Sequence, residues 1–156
     1  FARLGRDVQR FLTSMVRDKA LVADLTQVTF LSVVRSRDRY QRGAPVVPWV
    51  LSIAANAARD TLRRQKLGVE QLTATGAPHD APVDAPQGDP ALRKQLEHAL
   101  AQLPEAQREA VVLHKVQGLP FEEIATMLNT TSTAVRIRAH RGYERLKQLL
   151  AHLETP

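Results

Sequence analysis

Cysteine is missing from this chain altogether. Its absence excludes disulfides, thiolate nucleophiles and cysteine-ligated zinc, and it fits a reducing cytoplasm. Aromatic residues are scarce: they make up 4% of 156 residues, with one Trp and two Tyr. Any core must therefore be filled mainly by Leu, Val and Ala. No apolar run approaches the roughly 18 residues that a membrane-spanning helix needs, so no membrane insertion is expected. No secretory leader is visible. There is no phosphate-cradling glycine loop and no serine elbow. His79, His98, His114, His140 and His152 show no metal-ligand spacing. Glu122 and Glu123 are adjacent, so on a helix they diverge and cannot work as an acid/base pair. The expectation is a protein that is not an enzyme and uses no metal or cofactor. The chain opens at Phe1 rather than Met, so a native start upstream is expected.

What is abundant is positive charge, unevenly spread. Residues 1–66 hold 13 Lys/Arg against 5 Asp/Glu, a net +8. Residues 67–92 hold no Lys/Arg and 4 Asp/Glu, a net −4, and residues 93–156 hold 9 against 7, a net +2. Two basic blocks flank an acidic spacer, which points to a polyanionic partner. The plainer reading is a basic surface that serves solubility alone.

The most informative stretch is Gly118 to Leu150. Phe121, Ile124, Ala125 and Leu128 recur at helical spacing after Pro120, which suits the first helical position. Asn129 can take the left-handed conformation that ends a helix, and Thr131 or Ser132 can cap the next. On that next helix Val135, Ala139, Gly142, Tyr143, Leu146, Leu149 and Leu150 share one side. Thr133, Arg136, Ile137, His140 and Arg141 fall on the other near its start. A helix-turn-helix places such a first turn in the major groove. Arginine there can bond guanine bidentately, and Ile137 can meet a thymine methyl. The competing reading is a solvated charged face on an ordinary helical hairpin.

Upstream, residues 1–17 read as an amphipathic helix with Leu4, Val8, Phe11, Leu12 and Met15 inward. Residues 20–39 read as a second, with Val22, Leu25, Thr26, Thr29, Phe30 and Val33 as its core face. Its opposite face carries Asp24, Gln27, Val28 and Leu31. That mixture fits a protein-docking surface and equally fits burial against a further helix. Residues 40–47 read as a loop, and Pro48 as the start of a helix to about Lys66. Val50, Ile53, Ala54, Ala57, Ala58 and Thr61 line one side of it; Trp49, Ser52, Asn56, Arg59 and Arg63 line the other. An aromatic among arginines and an amide suits a single-stranded nucleic acid. Alternatively Trp49 packs into the core beneath the loop.

Gly and Pro supply 7 of the 24 residues from 67 to 90, which read as a flexible linker. Beyond it, residues 91–103 read as a helix with Leu92, Leu96, Leu100 and Leu103 aligned. A further helix runs from Pro104 to about Gln117, with Ala106, Ala110, Leu113 and Val116 inward and Gly118 as its stop. Residues 151–156 are expected to fray. The predicted fold is all-α: two small helical domains, 1–66 and 91–156, joined by a flexible linker, 67–90. The second domain has four helices and contains the helix-turn-helix.

Three motifs resemble those of the extracytoplasmic-function sigma factors, specificity subunits of bacterial RNA polymerase. They are DLTQVTFL at 24–31, PWVLSIAANAARDTLRR at 48–64, and LPEAQREAVVLHKVQGLPFEEIATML at 103–128 followed by TAVRIRAHRGYERL. The resemblance covers nearly the whole chain and implies roles. Asp24, Gln27, Val28 and Leu31 would dock on the clamp helices of the polymerase beta-prime subunit. The Tyr40–Val47 loop would receive an extruded base of the minus-10 element. Trp49, Asn56, Arg59, Arg63 and Arg64 would serve promoter melting. Thr133, Arg136, Ile137, His140 and Arg141 would contact the minus-35 element. The resemblance also implies core polymerase as a partner, through the clamp helices and the beta flap, together with promoter DNA, an anti-sigma factor and a cytoplasmic location. The pattern departs from the family at Ala23 and Val28, where acidic residues are usual. It departs again at Thr133 and Ile137, so the family's minus-35 preference does not transfer. Two other readings stand beside this one. A stand-alone helix-turn-helix regulator would leave the two N-terminal faces idle. A regulatory protein that has lost polymerase binding is prompted by Ala23 and Val28.

Overall fold

The computed structural model describes residues 2–68 and 89–151, and every regular element among them is helical. The chain divides into two compact units, residues 1–83 and 84–156. Most of the expected linker, residues 69–88, lies outside the described residues, as do residues 152–156 of the expected frayed end.

The first unit has three long helices: α1 (Ala2–Met15), α2 (Lys19–Arg35) and α3 (Val46–Lys66). Each packs on the other two. α1 inserts Val8, Phe11, Leu12 and Met15 into the core, as its spacing predicts. Asp18 caps α2 by accepting from the Ala20 amide at 3.0 Å. Thr29 is fully buried on α2 because its hydroxyl donates to the Leu25 carbonyl at 2.7 Å, leaving no orphan polar atom. α2 stops at Arg35, short of the expected residue 39, and Arg37–Arg39 form a separate 3₁₀ turn.

α3 begins two residues before Pro48, with Pro45 at the cap position. Pro48 still sits in the first turn, where a missing amide costs nothing. Its buried arc is Val50, Leu51, Ala54, Ala55 and Ala58. Leu51 and Ala55 thus belong to the core, whereas Ile53 and Ala57, expected there, are half-buried. The cause is that α3 packs against two helices at once, so its apolar arc is wider and turned from the stripe that a single partner would select.

In the second unit α4 (Pro90–Ala101) is capped by Asp89, which accepts from the Ala91 amide at 3.0 Å. Leu100 and Leu103 are buried, but Leu92 and Leu96 are exposed, so the expected row of leucines is only half used. No side chain of α4 before Ala99 is buried.

α5 (Glu105–Val111) runs into a π-helical turn, Val112–Val116, rather than continuing as one α-helix to Gln117. The Gln117 amide donates five residues back to Val112 at 3.1 Å. The extra residue shifts the faces that follow. Buried here are Glu109 to Leu113, while Ala106 and Val116, expected inward, are exposed. Gly118 ends the turn at φ +71, a backbone that other residues seldom adopt.

α6 (Phe121–Met127) and α7 (Ser132–Leu150) form the expected hairpin. Pro120 stands at the cap, one place before the first helical residue. Asn129 takes φ 53, and the Thr130 amide donates back to Ala125 at 2.9 Å, closing α6. Thr131 caps α7, its hydroxyl accepting from the Ala134 amide at 3.1 Å. α7 buries Val135, Ala139, Gly142 and Leu146. Gly142 is needed there: a Cβ would lie 2.5 Å from Val111 Cγ2 and 3.3 Å from the Gln107 carbonyl. This close approach fastens α7 to α5.

Candidate nucleic-acid interface

The two faces of α7 separate cleanly. Val135, Ala139 and Gly142 turn inward, which forces Thr133, Arg136, Ile137, His140 and Arg141 outward, and all five are exposed. Ile137 is 46% exposed, with no apolar role inside the unit to explain it. Arg145, also exposed, extends the cationic side one turn further. Its spacing of four from Arg141 was the signal that marks it. His140, Arg141 and Arg145 form one wall of an open groove of about 360 Å³, with Gln107 of α5 among its lining. Tyr143 behaves differently from its neighbours: its hydroxyl is buried with no hydrogen-bond partner among the described residues, and burial raises its pKa above the ordinary tyrosine value.

Arg136 is held from two sides. Its Nη2 lies 3.6 Å from Glu122 Oε1, and its guanidinium carbon sits 5.6 Å from the centre of the Phe121 ring. Phe121 in turn stacks on His114, centroids 4.0 Å apart and planes 16° apart. Phe121, which belongs by its spacing to the apolar stripe of α6, is only half-buried.

The first unit brings a second group together. Trp49 is half-buried and packs on Tyr40, with ring centroids 5.0 Å apart at a 45° tilt. Tyr40 also donates its hydroxyl to the Ala44 carbonyl, pinning the loop that precedes α3. Inside that loop the Ala44 amide donates to Gln41 at 3.0 Å and Gly43 has φ +92. Trp49 is thus a platform at the base of the loop, neither free nor fully in the core. Asn56, Arg63 and Arg64 are exposed on α3. Arg63 lies 3.4 Å from Asp60, which neutralises part of its charge. Arg59 departs from expectation: Nε and Nη2 of its guanidinium are shielded from solvent. Its position borders the wide buried arc of α3, so it belongs more to the fold than to the open face. Arg37, Arg39 and Arg42 are exposed around the loop and were not singled out from sequence.

The outer face of α2 is open among the described residues. Gln27, Val28 and Leu31 are exposed, and Asp24 is half-buried. Val34 continues this stripe, 57% exposed beside Leu31 at 56%. Its spacing of three from Leu31 could have flagged it. No other described helix of the unit buries Gln27, Val28 or Leu31. No group of three or more His, Asp or Glu among the described residues could hold a metal ion. No helix among them is long and apolar enough to cross a membrane.

The family model described as Sigma-70 region 2 matches residues 1–67, and that described as Sigma-70, region 4 matches residues 93–146. The RNA polymerase sigma factor CarQ of Myxococcus xanthus is 52% identical over 158 residues, covering 99% of this chain and 88% of that protein. The ECF RNA polymerase sigma factor SigM of Bacillus subtilis is 30% identical, covering 92% of this chain and 88% of that protein. Among solved structures, the sigma factor RpoE in complex with the anti-sigma factor NepR from Bartonella quintana aligns with a TM-score of 0.80 at 23% identity, covering 96% of this chain and 93% of that one. CnrH in complex with the cytosolic domain of CnrY aligns at 0.71 and 23%, covering 97% and 84%. At that identity the two structures speak for the fold alone.

Proposed function

Since the chain belongs to the sigma-70 family, as an extracytoplasmic-function sigma factor, we propose a division of labour between its two units. The protein binds core RNA polymerase and directs promoter-specific initiation. Residues 1–66 dock through Asp24, Gln27, Val28, Leu31 and Val34 on the clamp helices. The same unit engages the minus-10 element with the Tyr40–Trp49 platform, Asn56, Arg63 and Arg64. Residues 91–156 read the minus-35 element with Thr133, Arg136, Ile137, His140 and Arg141 and meet the beta flap. Residues 67–90 tether the two. The protein works in the cytoplasm and adds no chemistry of its own; the polymerase supplies it.

The observation that carries this reading is the set of exposed faces. One unit presents an apolar–polar helix face beside an aromatic and cationic loop; the other presents a helix whose outward side chains suit base edges. A stand-alone regulator would use only the second. An anti-sigma partner is part of the proposal. RpoE and CnrH were both solved in complexes, RpoE with the anti-sigma factor NepR. An exposed apolar stripe on α2 is a surface that such a partner can cover until release.

Reconstitution with core polymerase on a library of random promoters tests the whole. Transcripts that require the chain should share two elements at fixed spacing, and the chain should co-elute with core polymerase in gel filtration. Absence of any chain-dependent transcript defeats the reading.

A further inference from the structure

An arginine that reads a base must first give up its rotational freedom. Four groups from successive elements form one column. The His114 imidazole, on the π turn, is fixed by its Nδ1–H, which donates to the Leu119 carbonyl at 3.0 Å. The Phe121 ring lies nearly parallel on it, with centroids 4.0 Å apart. The Arg136 guanidinium lies over Phe121 at 5.6 Å, and Glu122 holds its Nη2 at 3.6 Å.

We propose that Phe121 and Glu122, on the first helix of the hairpin, are specificity-determining positioning residues that preset Arg136 for a base edge. The inference rests on the reading of α7 as the minus-35 helix and deepens it. A guanidinium has five N–H donors in a planar fork. The ring occupies a face and the carboxylate meets one nitrogen, which leaves donors for the paired acceptors of a guanine edge. Holding the group in advance lowers the entropy lost on binding. Glu122 has a second effect. Its carboxylate is exposed and negative beside the cation, so it weakens any indiscriminate grip on phosphate. Positioning and charge therefore act together to widen the gap between the right duplex and any other.

This differs from a merely structural role in its signature. Loss of folding would lower binding to every duplex alike. Loss of positioning lowers binding to the cognate element only, and for Glu122→Gln binding to unrelated DNA rises.

The test uses the full chain in holoenzyme with core polymerase. The probes are a promoter duplex selected by that holoenzyme from a random library, and the same duplex with its upstream element scrambled. Phe121→Leu and Glu122→Gln should each lower the ratio of the two affinities about fivefold. Phe121→Tyr keeps the ring and should stay within about twofold of the parent. In an Arg136→Ala background neither change should lower the ratio further. Glu122 is an exposed residue, so Glu122→Gln remains informative even if Phe121→Leu disturbs folding. An unchanged ratio in both variants, with Arg136→Ala lowering it roughly tenfold or more, overturns the proposal and leaves the minus-35 reading intact. Fully additive losses in the double variants overturn it too. An unchanged ratio in Arg136→Ala overturns the minus-35 reading itself.

Discussion

The two units of this chain are similar in size and built on opposite plans. The first relies on three long helices that support one another, and its candidate side chains lie mostly where the helices are not covered. The second relies on one long helix, α7, and shorter ones joined by tight devices: the π turn at Val112–Val116, the left-handed Gly118 and Asn129, and the Thr131 cap. The charge differs as well, net +8 over residues 1–66 against +2 over residues 93–156. On the proposed division of labour, the first unit would meet nucleic acid with an excess of charge, which suits a flexible single strand. The second would meet it with a few side chains held in place, which suits base reading. Charge recognises a polyanion; geometry recognises a sequence.

The largest expected effect tests whether the units stand independently. Gly142→Leu places a side chain where even a Cβ meets Val111 at 2.5 Å. It should destabilise the second unit by about 3 kcal/mol. The only Trp, Trp49, lies in the first unit, so its fluorescence reports that unit alone. Circular dichroism should show the loss while the Trp49 unfolding transition stays in place. A Trp49 transition that moves equally would break the comparison.

Next comes the proposed docking face of α2. Leu31→Asp replaces an exposed apolar group, so folding should change by no more than about 0.5 kcal/mol. Affinity for core polymerase should fall by about 2 kcal/mol, near thirtyfold, in a titration with labelled core enzyme. Val34→Asp should follow the same direction, which sharpens the extension of the face beyond the residues visible from sequence.

A smaller effect separates charge from geometry. Arg64→Ala should reduce the salt dependence of single-strand binding by about 0.7 in the log–log slope, whatever the base sequence. Arg59→Ala should instead lower thermal stability, since its guanidinium is turned out of solvent. A salt slope that changes for Arg59 and not for Arg64 reverses the assignment of the two.

The smallest effect is a pH dependence confined to the second unit. Burial raises the pKa of Tyr143 above the ordinary value of 10.0, so the folded state keeps its phenolic proton longer than the unfolded state does. The stability this contributes is fully present below pH 10 and is lost as pH rises through the raised value. Tyr143→Phe should flatten that alkaline loss in circular dichroism.

What could be read from the chain before folding follows local rules. The outward set on α7 was legible because Val135, Ala139, Gly142 and Leu146 leave only one arc for the arginines. The stops at Gly118 and Asn129 and the cap at Thr131 were legible because each is decided within a few residues. The errors fall where a distant partner decides. Ile53 and Ala57 lost their core places to Leu51 and Ala55 because two helices, and not one, press on α3. Leu92 and Leu96 repeat at a core-like interval, yet every buried side chain of α4 lies at Ala99 or beyond. The π turn left no mark in VLHKV, since a widened turn and an ordinary one have the same composition. The column under Arg136 escaped for a related reason: His114 and Phe121 are seven residues apart and meet only because the chain reverses at Gly118.

That widened turn has a consequence for how this protein can vary. It amounts to one surplus residue slipped into a helix, and each residue of helix is worth about 100° of rotation. Excising either Lys115 or Val116, both exposed, would let the turn close up at the usual pitch, and α7 would keep its bearing, because it is seated ahead of the turn with Gly142 against Val111 of α5. What the surplus residue governs is the path from the turn through Gly118 to α6, and with it the stacking of Phe121 on His114.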